Sequence, residues 1–534
     1  MCSIFLCLAL HSLQDESSFT WPMARFLDVH DTATTILNVQ ALLRPEGMRK
    51  SACDIHEILL RGGIVGAGIS ARDFMHSHFR FKVYACPVRI HEAQTEYGQY
   101  AALSYCWGSN SQSGTPLSND GPTCLAISAL PRTIQDAITV TRQIGLKYLW
   151  VDALCIIQDS VEDKDAEIGQ MAQYYQNASV TIIAANAGSS DKGFLASNSQ
   201  PRCLEPDAVS YRFQLSMAFP GEAVGVISAE YCLWDNGASP EPLDRRAWAY
   251  QEQILCRRAL TYGTSTMTWR CEQGILGWNS WLRKHQSVVA KVLPKHSSQY
   301  PYKEAWKNMV AVYSHRNLTF PEDKLPAISA LASQIHHLSV QSRGGPGRYL
   351  AGLWENDLLD QLIWFAAPTE SHPAQCIPYR APSWSWASVE CPVLFPDPRS
   401  ALTLGALEST KGLHLEIIDC GVTPRSALVP LGQVTTGRLR VRGCLVHGSR
   451  VPNPEAWLLG TFRGTNSDVV LKLDCYSIGD KAGLSKARSC WWLQVQHRHG
   501  LVLEHVDGAI YRRVGCVVRN WPESSEERRV IDLI

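Results

Sequence analysis

Two groups of side chains in this 534-residue sequence stand at spacings that could do chemistry. The first is Ser104, Tyr105, Trp107 and Gly108 together with Asp152, each placed where a short apolar strand pattern gives way to a loop. In open α/β sheets ligands bind outside the carboxyl ends of the strands, so these five are candidate binding residues. The second is Trp248 and Glu252, four apart in RAWAYQEQIL and therefore on one helical face. An acid beside an indole offers a carboxylate that can neutralise developing positive charge next to a surface on which a flat ring stacks. Each group also has a plainer reading. Asp152 and Gln158 can bond loop backbone. Trp248 and Glu252, followed by Arg257 and Arg258, can form a core anchor and a helix-surface ion pair.

The remaining chemical signals are weaker. Gly66-Ala67-Gly68 followed by Ala71 matches a G-x-G-x-x-A dinucleotide fingerprint, but the strand that should precede it is interrupted by Arg61, Gly62 and Gly63, so it reads as a glycine-rich turn. The sequence has no G-x-S-x-G, Walker or His-Glu-x-x-His motif to support a hydrolase, ATPase or zinc protease. Its 18 cysteines are scattered and form no Cys-x-x-Cys pair. His499 and His505 have only Cys490 and Cys516 near them, a poor ligand spacing for zinc. The cysteines read as reduced thiols of a cytoplasmic protein, and no metal is expected.

The elements that must position the candidates are written most clearly from Leu130 to Leu195. Pro131 suits the first turn of a helix, Ile134, Ala137, Ile138 and Thr141 give it an apolar face, and Gly145 stops it. Lys147–Asp152 reads as a strand. Glu162, Asp163 and Asp165 open a second helix with Ile168, Met171, Ala172 and Tyr175 as its buried stripe, and Ser179–Ala185 reads as the next strand. Such alternation writes a parallel α/β sheet. Tyr100–Gly108 supplies a strand before it, and Phe79–Ile90 an edge strand carrying Pro87.

The length implies several domains, and 45% apolar with 19% charged residues is the composition of a folded globular chain. Fifty basic and fifty acidic residues cancel, so no long-range field points to nucleic acid. No apolar run reaches the ~18 residues of a membrane span, and Met1–Leu13 reads as a packed N-terminal helix rather than a signal peptide. The expected domains are a weakly helical 1–79, an α/β domain over 80–275 with an insert at 196–242, a helical, Trp-rich 276–390, and a β-rich 391–534. In the third, Asp323 and Pro326 should cap and open a helix, and YRAPSWSWAS should plug a seam between domains. In the fourth, alternating runs from Ala401 onward indicate an antiparallel β layer.

In order and spacing, YAALSYCWG, LPRTIQDAI, GLKYLWVDALCIIQD, EIGQMAQYYQNASVTIIAA and RAWAYQE resemble the fungal heterokaryon-incompatibility (HET) domain. YSHRNLTFPEDKLPAISALA, LAGLWENDLLDQLIW and YRAPSWSWAS resemble the region that often follows it in proteins of filamentous ascomycetes. The resemblance covers about residues 80 to 390. It implies non-self recognition between fungal individuals and a cell-death effector, with distant kinship to the flavodoxin-like TIR domains, some of which cleave NAD with a helix glutamate. Trp248 and Glu252 are similar to the W-x-x-x-E block of TIR domains, although about 60 residues separate strand and helix here. The expected fold is thus a parallel flavodoxin-like or TIR-like sheet core with a helical satellite and a C-terminal antiparallel β layer.

On that footing Glu252 is the candidate catalytic residue, and Ser104, Tyr105, Trp107, Gly108, Asp152 and Trp248 the candidate binding residues. NAD would be a substrate rather than a resident cofactor. One carboxylate can suffice, because cleavage of the N-glycosidic bond to nicotinamide passes through an oxocarbenium-like transition state with a good leaving group. Three readings stand: an NAD-cleaving effector, a non-catalytic scaffold that signals through a protein partner or its own oligomer, and an accessory or regulatory protein associated with a secondary-metabolite gene cluster.

Overall fold

The structure is a computed structural model. It describes residues 24–29, 88–93, 98–108, 124–195, 210–218, 224–232, 240–264, 267–271, 274–277, 301–340, 345–367, 379–396, 415–448, 462–463, 470–474, 490–496, 499–518 and 528–534. Met1–Leu13, the glycine run at 66–68 and Pro87 lie outside them. The chain divides into two compact units, each discontinuous in sequence. The first is Met1–Asp159, Tyr174–Leu243 and Cys256–Trp278; the second is Ser160–Gln173, Asp244–Leu255 and Asn279–Ile534.

The first unit is built on strands β1 (Ala24–Asp28), β2 (Val88–Ala93), β3 (Tyr100–Ser104), β4 (Cys124–Leu125), β5 (Tyr148–Trp150) and β6 (Val180–Ile183). To these are added a separate hairpin, β7 (Ser210–Ala218) with β8 (Val224–Cys232), and the strands β9 (Ala259–Tyr262), β10 (Met267–Cys271) and β11 (Gly274–Gly277). One nine-stranded sheet runs β11-β10-β9-β6-β3-β5-β1-β2-β4. Its centre, β5-β3-β6-β9, is parallel, and the flanking strands are antiparallel. Every residue of YAALS, YLW and VTII is buried, as expected of parallel strands covered on both faces.

Helix α1 (Arg132–Gln143) links β3 to β5 and buries Ile134, Ala137, Ile138 and Thr141, the face its periodicity predicts. Gly145 ends that segment with φ +79°, a left-handed position that suits glycine. Helix α2 (Val161–Asn177) precedes β6, and Ser160 Oγ accepts the Asp163 amide at 3.1 Å to cap it. Its last turn carries two tyrosines of the first unit. Tyr174 stacks on Trp150 at 4.9 Å and accepts Tyr100 Oη at 2.7 Å, while Tyr175 Oη donates to Leu103 O at 3.1 Å. One stretch departs from expectation. Ala24–Asp28, within the segment expected to be weakly helical, is a strand paired with both β2 and β5, because tertiary pairing decides the state of so short a piece.

The second unit contains helices α3 (Ala247–Leu255), α4 (Pro301–Ser314) and α5 (Pro326–Val340) and two ribbons, β12 (Tyr349–Leu350) with β13 (Leu353–Trp354) and β14 (Phe365–Ala366) with β15 (Val393–Leu394). Trp384 and Trp386 of the SWSWAS motif are fully buried. Trp386 Nε1 donates to Gly352 O at 2.9 Å, Trp384 O accepts Trp364 Nε1 at 3.0 Å, and Ser383 Oγ accepts the Arg513 amide at 3.0 Å. The motif thus joins the helical region to the C-terminal β region within this unit.

That β region comprises β16 (Leu415–Pro424), β17 (Val434–Gly448), β18 (Phe462–Arg463), β19 (Val470–Leu473), β20 (Cys490–Gln494), β21 (His499–Asp507), β22 (Ile510–Val518) and β23 (Arg528–Leu533). It is more than an antiparallel layer. Strand β23 pairs antiparallel with β17 and parallel with β22, which closes β17-β20-β21-β22-β23 into a ring. Strands β16 and β18, each paired on one side only among the described residues, remain outside the ring as edges. Among the described residues, no helix is long and apolar enough to cross a membrane, and no group of three or more His, Cys, Asp or Glu could hold a metal ion.

Candidate functional site

The carboxyl end of β3 carries most of the candidate binding residues. Ser104 is fully buried, and its Oγ has no hydrogen-bond partner among the described residues. Its carbonyl accepts the Ala184 amide at 2.9 Å, which ties the end of β3 to the end of β6. Tyr105 is buried and Trp107 half-buried. The Trp107 indole N–H donates to Asp152 Oδ2 at 2.9 Å, and Asp152 Oδ1 accepts the Ala153 amide at 2.7 Å. Asp152 is 7% exposed, so its carboxylate is a bracket that orients the half-buried indole. Gln158 Nε2 bonds backbone, donating to Asp152 O at 3.2 Å and Ile156 O at 3.1 Å.

The loop after β6 lies against the loop after β3. Gly108 has φ +89°, and a Cβ there would stand 2.7 Å from Ser189 Cβ. Trp107 O accepts the Ser190 amide at 3.2 Å. Two residues of α1 that the sequence reading did not single out hold this loop. Thr133 Oγ1 donates to Ser189 O at 3.2 Å and accepts the Gly193 amide at 3.2 Å. Asp136, 3% exposed, accepts the amides of Phe194 at 2.8 Å and Leu195 at 3.0 Å through Oδ2. The available signal was an acid at i+3 from Thr133 beside the apolar stripe, too general to name its partner.

The other two candidates belong to the second unit. On α3, Trp248 Nε1 donates to Asp323 Oδ2 at 3.1 Å. Asp323 therefore spends its carboxylate on an indole, three residues before Pro326 opens α5, and not on the cap expected of it. Burial pushes its carboxyl above the usual range, opposed by that hydrogen bond. Glu252 is 1% exposed and within the electrostatic reach of Arg316, which rules out a helix-surface position. Arg257 and Arg258 lie beyond the end of α3, and Arg258 O accepts the Thr181 amide at 2.8 Å in the first unit.

The structure therefore groups Ser104, Tyr105, Trp107, Gly108 and Asp152 at one sheet edge, and sets Trp248 and Glu252 on a buried helix of the other unit. The first group can hold a flat ring against an oriented indole. The second can hold a buried carboxylate near a guanidinium. No curated protein and no solved structure matches the chain. Residues 100–252 match the family described as Heterokaryon incompatibility protein (HET). The match begins at the first residue of β3 and ends at Glu252, so the chain carries a heterokaryon-incompatibility domain over these elements and is a HET-domain protein.

Proposed function

We propose that the protein is an effector of fungal non-self recognition that triggers cell death, with the carboxyl edge of its parallel sheet as the ligand site and NAD as the substrate. The observation that carries this is the strand order. Taken by their position in the chain, the four parallel strands lie second-first-third-fourth, which supports a flavodoxin-like reading with its switch point between β3 and β6. Trp107, bracketed by Asp152, stands at that switch point with a ring face suited to nicotinamide or adenine. In the reaction the ribosyl C–N bond breaks and its electron pair leaves with nicotinamide. A carboxylate balances the ribosyl cation, a role for which Glu252 is the candidate by its W-x-x-x-E spacing in the sequence, and water adds to the cation with loss of a proton.

A second reading, a non-catalytic scaffold acting through a protein partner or its own oligomer, draws on the 1% exposure of Glu252. Incubation of the full chain with NAD, alone and forcibly oligomerised, separates the two. Nicotinamide release that is lost in Glu252→Gln and reduced in Trp107→Ala supports the enzyme. No release by the wild type under either condition sinks it, and toxicity in a fungal host that persists in Glu252→Gln supports the scaffold.

A further inference from the structure

The HET match stops in the middle of α3, yet that helix takes several of its hydrogen bonds from eight residues outside the match, Arg316–Asp323 (RNLTFPED). The first turn of α3 receives a backbone partner: the Ala247 amide donates to Asn317 O at 2.9 Å, and the Asn317 amide donates to Arg245 O at 2.6 Å. A helix start leaves its first amides without intrahelical acceptors, so Asn317 supplies one that the helix lacks. The middle of α3 is gripped by Arg316. Its guanidinium lies over the Tyr250 ring at 4.8 Å, donates to Gln253 Oε1 at 3.2 Å and to Arg246 O at 3.3 Å, and stands 3.8 Å from Asp244. Gln253 Nε2 in turn donates to Asp244 Oδ1 at 3.1 Å. The indole of Trp248 is fixed by Asp323.

We propose that Arg316 and Asp323 are positioning residues that set the place of Trp248 and the charge environment of Glu252, so that the working HET unit extends at least to residue 323. Tyr250 and Gln253, three apart and so on one face of α3, both hold the guanidinium against the helix that carries Glu252. A planar fork does this where a point charge cannot: it stacks and donates in two directions at once. Burial lowers the Arg316 guanidinium from its ordinary value, opposed by the nearby charges of Asp244 and Glu252. The catalytic part of this proposal rests on the reading of Glu252 above; the positional part does not.

Two full-length variants test it, with Arg316→Lys as a third for comparison. Arg316→Met keeps the length of the side chain without the fork, and Trp248→Phe keeps a ring without the donor. Amide exchange is expected to lose about tenfold to a hundredfold of its protection along Ala247–Leu255 in both, with the amides of β3 and β6 unchanged. Nicotinamide release is expected to fall about tenfold or more in kcat with KM within twofold, and Arg316→Lys should not restore it. Unchanged protection of α3 in both folded variants overturns the proposal. So does a kcat at the wild-type level in Arg316→Met. If the wild type releases no nicotinamide, the NAD reading has failed, and amide exchange alone decides whether Arg316 and Asp323 position the helix.

Discussion

Replacing Asp136 tests whether the loop after β6 is held in the way its geometry implies. One carboxylate oxygen of Asp136 accepts two backbone amides, from Phe194 and Leu195, in a residue only 3% exposed. The other oxygen lies 3.3 Å from Arg132 Nε, whose side chain is 54% exposed. Hydrogen bonds to a charged acceptor contribute about 1.5–3 kcal/mol each, so Asp136→Ala removes about 3–6 kcal/mol and leaves buried donors unmet. Asp136→Asn turns one oxygen into an amine but keeps an acceptor. If that acceptor faces the loop, both backbone amides stay satisfied, and the loss is the weakened charge plus a half-exposed ion pair of at most about 1 kcal/mol. Amide exchange at Phe194 and Leu195 reads this directly. Protection should fall about a hundredfold to ten-thousandfold in Asp136→Ala and roughly tenfold in Asp136→Asn. Equal losses in the two variants, or a loss below tenfold in Asp136→Ala, would show that the loop is held by something other than this carboxylate.

Lys324 is buried, with its ammonium on Val389 O, and burial followed by the charge of Arg380 lowers it to about 8. The unfolded chain keeps this proton up to its ordinary value near 10.5, so stability should rise with pH between about 8 and 10.5 and be lowest below that window. Lys324→Met should erase an increment of about 3 kcal/mol in alkaline unfolding curves. The Val389 carbonyl would still accept from Arg380 at 3.0 Å. Gly108→Ala and Gly145→Ala place the same side chain at φ +89° and +79°, at a shared cost of about 1 kcal/mol. Of the two, Gly108 alone meets an atom, Ser189 Cβ at 2.7 Å, so its alanine variant should lose a further ~1–3 kcal/mol of stability and melt at the lower temperature.

The parallel core was legible because its signals are local. A helix between Pro131 and Gly145, strands over Lys147–Asp152 and Ser179–Ala185, observed as the shorter Tyr148–Trp150 and Val180–Ile183, and a helix opening on acids can each be read within about fifteen residues. Asp152 and Trp107 were legible as residues at strand ends, though not as partners of one another. What escaped is what depends on distant chain. Ala24–Asp28 gives no periodicity in five residues and takes its state from β2 and β5, many residues away. Asp136 finds its partners 58 and 59 residues later, and Trp248 finds Asp323 75 residues later. The helix of Trp248 and Glu252 was read correctly from spacing, but spacing reports a shared face and not which unit that face belongs to.

The two units are threaded through each other in sequence: the chain changes unit after residues 159, 173, 243, 255 and 278. No single cut releases either unit whole. A ribosome cannot complete the first unit before Trp278 emerges, and by then two segments of the second have already been synthesised ahead of the rest of it. Recombination faces the same constraint. A crossover at one point after Trp278 carries the two inner segments, Ser160–Gln173 and Asp244–Leu255, along with the first unit and parts them from Asn279–Ile534, so inheritance should act on the span from β3 to Asp323 as one block. Chimeras joined inside that span should fail to accumulate.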